Sequence, residues 1–340
     1  MIKDTHNEDQ PLVSIRCLVY NHEDYIRDTL EGFVNQKTSF KFEAIVHDDA
    51  STDRSQSIIK EYADKYPDII KPILEVENQY SKHDGSLRNI VNSACKGKYY
   101  AYCEGDDYWK DPYKLQKQID FLERHPQYSM CCTNASILSG DKELDWKRFD
   151  ETCDISIERM ISGGGSLIST CTQVYRKEVI ETYDKLDFCL RCAVGDYPLQ
   201  ILSTLLGKVH YIHEKTSVYR YQAKGSWTIK SQRTPILKQL DGWKSQIVML
   251  QGLDGFSKGR YHRVFVETEI GLVDWLCRTH ISDYKAILNG FRNLIKLPFI
   301  YKLSYFFKAK ENDFLYRTIL IIRKYYMRIF LKTVKYKLKK

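Results

Sequence analysis

Proline and glycine are scarce. The 340 residues include 8 prolines and 17 glycines, too few for a linker-rich or collagen-like chain. No run approaches the ~18 uncharged apolar residues that a membrane span needs, and the longest candidates carry Arg or Lys inside them. The opening segment, MIKDTHNEDQ, is acidic and polar where a signal peptide would be basic and then apolar. These absences argue against export and for a cytoplasmic protein. The ten cysteines are scattered, with one adjacent pair, Cys131 and Cys132, and one CxxC, Cys189–Cys192. No second CxxC or HxxxH completes a zinc set, so small reduced thiols are the expectation.

What the chain does have is an ordinary globular composition, 43% apolar and 28% charged, with enough length for two domains. Its charge is unevenly placed. Residues 281–340 hold 15 Lys/Arg and 3 Asp/Glu, a local net of +12, which leaves −4 for residues 1–280 against the whole-chain +8. Basicity confined to one end argues against a general nucleic-acid surface and for a local contact with something anionic.

The first half alternates strands and helices. Leu12–Tyr20 is an apolar strand, and Asn21 stands as a helix cap before a stripe at Ile26, Leu30, Phe33 and Val34. Phe42–His47 is a second strand, followed by a helix with Ile58, Ile59 and Tyr62 on one side. Ile69–Leu74 is a third, then a helix with Leu87, Ile90, Val91 and Ala94, and Tyr99–Cys103 is a fourth. Asp111-Pro112 reads as a helix start ahead of Leu115, Ile119 and Leu122. Tyr128–Thr133, Thr172–Tyr175 and Val209–Tyr211 are further strands, and Pro198–Leu206 is a helix. Such alternation predicts an α/β protein with a mostly parallel, Rossmann-like sheet, whose ligands sit at the carboxyl ends of the strands.

Two acidic clusters fall at those ends, Asp48-Asp49 after the second strand and Glu104-Gly105-Asp106-Asp107 after the fourth. The turn after the first strand, Tyr20-Asn21-His22-Glu23-Asp24, has no glycine, which excludes a GxGxxG dinucleotide site, and no P-loop is present. Carboxylates repel a diphosphate unless a cation lies between them. Asp106 and Asp107 could grip one hard divalent ion and leave positions for phosphate oxygens. Asp48 and Asp49 are placed for the other end of a nucleotide, its ribose hydroxyls or base. Solvated turn chemistry is the competing reading of both clusters.

The runs PLVSIRCLVYNHEDYIRDTLEGFVNQ, EAIVHDDASTDRS and SLRNIVNSACKGKYYAYCEGDDYWKDPYKLQKQIDFLERHP together resemble the inverting family-2 glycosyltransferases of the GT-A fold, over roughly residues 10–230. The resemblance implies a nucleotide-sugar donor and a bound Mn2+ or Mg2+. It implies Tyr20 as the stacking partner of the base, with Asp49, Arg88 and Asp106 as nucleotide contacts and Asp107 as metal ligand. Asp196 in Val194-Gly195-Asp196-Tyr197-Pro198 matches the general base, and a helix N-cap is its other reading. Many relatives follow a Tyr-Arg pair with a metal-binding histidine. Here Tyr219-Arg220 leads to Gln222 in that place, a candidate metal ligand whose amide oxygen is weaker than imidazole, with Arg220 or Lys224 to compensate by contacting phosphate directly. Trp109 and Trp227, beside these motifs, are candidate sugar platforms.

Residues 1–230 are therefore expected to form the GT-A catalytic domain, with 10–133 as its nucleotide-sugar half and 134–230 as its acceptor half. Residues 231–340 are expected to form a helical, basic region that binds an anionic membrane surface or packs on the catalytic domain. The expected acceptor is a glycan or a lipid-linked oligosaccharide, as in bacterial surface-polysaccharide assembly, and no nucleic acid is expected to bind. The rival reading is a non-catalytic nucleotide- or sugar-binding protein held at a membrane by its tail.

Overall fold

The computed structural model describes residues 10–146 and 148–337, and within them every side chain except those of 227, 324 and 327–337. Four strands come first, β1 (Val13–Val19), β2 (Phe42–Asp48), β3 (Ile70–Leu74) and β4 (Tyr99–Tyr102). After them come β5 (Tyr108–Trp109), β6 (Tyr128–Ser139), β7 (Lys142–Asp145), β8 (Cys153–Ile155), β9 (Val174–Arg176) and β10 (Lys208–Arg220). They form one sheet ordered β3-β2-β1-β4-β9-β6-β10-β5, with β7 paired to β6 and β8 to β10. The β3–β2–β1–β4 portion is parallel, as the alternation predicts. The rest is mixed. Strand β9 runs antiparallel to both β4 and β6, while β6 and β10 are parallel to each other. Two reversals restore direction, so the carboxyl ends of β1, β2, β4 and β10 share one edge.

The helices cover the sheet through their apolar stripes. In α1 (Ile26–Val34), Ile26, Leu30 and Phe33 are buried, and in α2 (Ser55–Lys65), Ile58, Ile59 and Tyr62. In α4 (Lys114–Arg124) the buried residues include Leu115, Ile119 and Leu122, whereas α3 (Ser86–Ala94) buries Val91 alone. The stripes of α1, α2 and α4 join Val13, Ile15, Cys17 and Val19 of β1 in one core. Gly32 lets β5 approach α1, since a Cβ there would lie 2.8 Å from the Trp109 carbonyl oxygen.

Several local expectations change. Asn21 is not a helix cap: its φ is +56°, and α1 starts later, with Tyr25 as N-cap residue. Its carboxamide oxygen instead accepts the N–H of Thr52 at 2.8 Å. Asp111 accepts the N–H of Tyr113 at 2.8 Å, and α4 begins two residues beyond Pro112. Strands β6 and β10 run to 12 and 13 residues, longer than their apolar runs suggest, because each is paired on both sides and sheet pairing carries them past the apolar stretch.

The described residues form two compact units. The first holds residues up to Ser156, Gly165–Lys185 and Leu202–Ser231, and contains the sheet. The second holds Ile157–Gly164, Leu186–Ile201 and the chain from Gln232. It is helical, built mainly from Ile236–Phe256, His262–Thr279, Tyr284–Phe291, Phe299–Ala309 and Asp313–Lys337. Ile247, Leu250, Leu253, Phe265, Val273 and Leu276 are buried in it. No described helix is long and apolar enough to cross a membrane. All ten cysteines are free, eight of them buried.

Candidate active site

The first unit gathers its polar turns at the shared strand edge. The turns after β1 and β2 are laced together. Asn21 donates its N–H to Ser51 Oγ at 2.8 Å, His22 to Ser55 Oγ at 2.9 Å and Glu23 to Asp53 Oδ2 at 3.0 Å. In return Glu23 accepts Arg54 through both the N–H and Nε. Backbone hydrogen bonds satisfied in this way fix a floor without glycine. Tyr20, 49% exposed, stands on that floor with its ring available.

The acidic pair after β2 divides its work. Asp49 is buried, and its two oxygens accept the N–H groups of Gln79 at 2.6 Å and Tyr80 at 3.0 Å. It therefore ties the 79–80 turn to β2, and any nucleotide contact must use its remaining lone pairs. Asp48 accepts Ser51 N–H and Gln56 Nε2 on Oδ1, each at 2.8 Å, while its buried Oδ2 has no partner.

The second acidic turn sits against β1. Gly105 donates its N–H to the Leu18 carbonyl at 2.9 Å, and a Cβ there would meet His22 Nδ1 at 2.8 Å and Val19 Cγ2 at 2.9 Å. Thr29 of α1 donates to the carbonyls of Gly105 and Asp107 at 3.1 and 2.6 Å. Asp107 is buried, and its Oδ1 accepts the Arg220 N–H at 2.9 Å. Burial, reinforced by the Asp106 charge, pushes the Asp107 carboxyl well above the usual carboxylate range. Burial lowers the pKa of the neighbouring His22 imidazole, which favours its neutral form.

Arg220, at the end of β10, has a different occupation from the expected phosphate contact. Its Nη1 donates to the Asp106 carbonyl at 2.9 Å, and its Nη2 pairs with Asp28 of α1. The guanidinium lies 4.5 Å from the Tyr108 ring centre and 5.2 Å from that of Tyr25. This largely buried fork braces the acidic turn against α1. Arg220→Met is expected to let the turn drift, read as faster amide hydrogen exchange over residues 104–107, while circular dichroism still reports the fold.

The other candidates scatter. Lys224 is exposed, with its N–H on the Tyr25 hydroxyl at 3.0 Å and its Nζ 4.0 Å from Asp24. Gln222 is exposed in the same loop at φ +60°. Arg88, in the first turn of α3, pairs with Asp184 at 3.4 Å and lies over the Tyr183 ring. The Trp227 side chain lies outside the described residues. Trp109 is not a sugar platform. It is 3% exposed, edge-on to Phe33, and donates its indole N–H to the Cys171 carbonyl at 2.7 Å. Lys114 Nζ lies 4.2 Å from its ring centre. Trp109→Ala should cost about 3–5 kcal/mol in urea unfolding, a stability effect where a surface platform would change only sugar affinity.

Asp196 belongs to the second unit and opens the helix Asp196–Leu206. Its Oδ1 accepts the Tyr197 N–H at 2.8 Å, a capping contact that leaves the second oxygen. Burial raises its pKa to about 6, with backbone hydrogen bonds pulling the other way.

Asp28, Thr29 and Tyr25 were not legible as site residues. They lie in or just before an amphipathic helix; Asp28 and Tyr25 meet Arg220 and Lys224 from almost two hundred residues away, and Thr29 meets the Gly105 and Asp107 carbonyls across more than seventy. Arg16 carried a signal, a charge in the middle of the apolar run LVSIRCLVY. It is buried, with its guanidinium 5.1 Å from the Tyr102 ring centre.

A divalent cation can be tested against these groups. Among the described residues no three His, Cys, Asp or Glu side chains assemble into a metal cage. The acidic turn instead offers Asp106 and a buried Asp107 that is costly to ionise without a cation. That fits a cation bound by one or two carboxylates and completed by substrate phosphates and water.

Known proteins resemble the chain in sequence and in fold. The chain is 36% identical over 217 residues to the uncharacterised Mycobacterium tuberculosis protein Rv1520, covering 63% of this chain and 60% of that one. It is 37% identical over 112 residues, 33% of this chain and 41% of the other, to the Escherichia coli UDP-Glc:alpha-D-GlcNAc-diphosphoundecaprenol beta-1,3-glucosyltransferase WfaP. The crystal structure of S. aureus TarS 1–349 in complex with UDP-GlcNAc superposes with a TM-score of 0.58 at 17% identity, covering 87% of this chain and 79% of that chain. At that identity the likeness is one of fold, the GT-A type with a helical C-terminal region. The family model for glycosyl transferase family 2 matches residues 14–184, half of the chain, and the protein belongs to that family.

Proposed function

We propose that the protein transfers a sugar from a nucleoside-diphosphate donor, a UDP-sugar, to a hydroxyl of a glycan or lipid-linked oligosaccharide, with inversion at C1. The observation that carries this reading is the acidic turn, Asp106 and buried Asp107, fixed beside the exposed Tyr20 floor by Gly105, Thr29 and Arg220. WfaP, whose name states a UDP-sugar donor and a diphosphoundecaprenol acceptor, supports the choice of substrates.

Each group has a task in this reading. Tyr20 stacks on the base and Asp49 contacts the nucleoside through its remaining lone pairs, while Arg88 stays with Asp184. Asp106 and Asp107 would hold Mn2+ or Mg2+, which when bound would supply positive charge against the departing diphosphate. Lys224, exposed in the loop after β10, adds a cation for phosphate. Arg220 acts through the turn that it braces. Asp196 takes the proton from the acceptor hydroxyl, which attacks C1 from the face opposite the leaving group. A single displacement needs no covalent intermediate, and no Ser or Cys nucleophile is invoked.

Slow hydrolysis of UDP-sugars tests this without a known acceptor, because water can replace the hydroxyl. UDP release that requires Mn2+ or Mg2+, with the inverted anomer seen first by NMR, is the expected result. The retained anomer would overturn inversion. Gln222 in the place of a metal-binding histidine favours a second reading, a nucleotide-binding protein without catalysis. Tight UDP binding with no release from any UDP-sugar would select it.

A further inference from the structure

The helix Asp313–Lys337 is attached to the second unit through one face. Ile319 and Arg323 are buried there. Arg323 reaches Asp274 Oδ1 at 2.5 Å and Ser304 Oγ at 2.9 Å, and its guanidinium lies 3.7 Å from the Tyr301 ring centre. Asp274 also accepts the Tyr305 hydroxyl at 2.7 Å and pairs with Arg278 at 3.0 Å. This network fixes which way the helix faces.

At 3.6 residues per turn, Phe314, Ile321 and Tyr325 fall within an arc of about 40°, on the side opposite Arg323. They are 78%, 62% and 61% exposed. A helix packed on its own domain normally turns polar residues outward; this one turns out a phenyl ring, an isoleucine and a phenol, with Arg317 exposed beside them. Ile322 widens the patch on one flank, and Phe299 and Phe306 are exposed on the preceding helix. Clustered exposed hydrophobics of this kind mark an interaction surface.

We propose that this outward face lies flat on an anionic lipid surface. Aromatic and aliphatic residues presented by a segment of net charge +12 over residues 281–340 match an interfacial helix. A second copy is a poor occupant, because pairing the same face would bring two such basic segments together. The proposal rests on this helix and not on the donor site, although a lipid-linked acceptor would lie at such a surface.

Flotation of the full-length protein with vesicles of phosphatidylcholine, alone or mixed with phosphatidylglycerol, tests it. The protein is expected to float with the anionic vesicles, and roughly tenfold less with neutral ones or at high salt. The combined variant Phe314→Ser, Ile321→Ser, Tyr325→Ser should lose roughly tenfold or more of the vesicle binding, with circular dichroism and UDP binding unchanged. Ile321→Asp alone should weaken flotation in the same direction. A wild-type protein that stays in solution with anionic vesicles would overturn the proposal, as would a triple variant that floats like wild type. So would a wild-type dimer that the triple variant converts to monomer, since the face would then be a self-contact. Intact flotation with absent UDP binding would strike the donor-site reading alone.

Discussion

Asp107→Asn is expected to lower turnover by about 10³-fold or more and to remove metal-dependent UDP binding, while the thermal midpoint stays no lower than wild type. The two halves of this expectation have one cause. Asp107 is a buried carboxylate whose pKa burial and Asp106 push upward, so its ionised form is a cost to the folded chain until a cation arrives. Asparagine keeps an oxygen where Asp107 Oδ1 accepts the Arg220 N–H, and the turn keeps its shape. What disappears is one negative charge. Opposite unit charges about 4 Å apart are worth on the order of 4 kcal/mol in a partly dry cleft, enough to account for a thousandfold loss. Activity and differential scanning calorimetry on the same preparation check it. A variant that loses activity only because it unfolds would contradict the assignment.

Asp196→Asn should reduce kcat by about 10³-fold and leave UDP binding unchanged, the pattern expected when a general base is removed. Its pKa, raised to about 6 by burial, also shapes the wild-type pH profile. A base works only as the carboxylate, so kcat/KM should fall tenfold per unit as pH drops below about 6. An ordinary solvated aspartate would place that limb near pH 4. In the asparagine variant the limb should vanish. The sign for stability runs the other way. A raised carboxyl pKa means that the folded state binds the extra proton between about pH 4 and 6, so the group's contribution declines as pH rises through that window. The variant should therefore be no less stable than wild type at neutral pH. A residual limb at the same pH would assign the ionisation elsewhere.

Much of this was legible in the amino-acid sequence because local chemistry and global fold agree there. The strands at Val13–Val19 and Phe42–Asp48 and the stripes of α1 and α2 follow from apolar periodicity alone. The acidic pairs at strand ends follow from the alternation. What sequence could not give is the direction in which a side chain faces. Trp109 adjoins the acidic turn in sequence, yet β5 pairs with β10 and turns the indole into the core. Arg220 has the right chemistry for phosphate, but Asp28 and the Asp106 carbonyl reach it first, and that meeting depends on β10 returning to the edge of β1. Asn21 looked like a cap because caps and left-handed turns favour the same residue.

The helical end illustrates a second limit. Its mixture of aromatic and basic residues fits both a packed and an interfacial helix in one dimension. The burial of Ile319 and of Arg323, held by Asp274 and Ser304, fixes the rotation and shows that Phe314, Ile321 and Tyr325 point away from the unit.

The central claim is that the acidic turn holds a nucleoside diphosphate through a divalent cation. Calorimetric titration of the wild-type protein with UDP, in the presence and absence of Mn2+, tests it most directly. Binding that appears with Mn2+ and weakens at least roughly tenfold without it is the predicted result. Equal binding in both conditions, or none from UDP, GDP, dTDP or CMP, would contradict it.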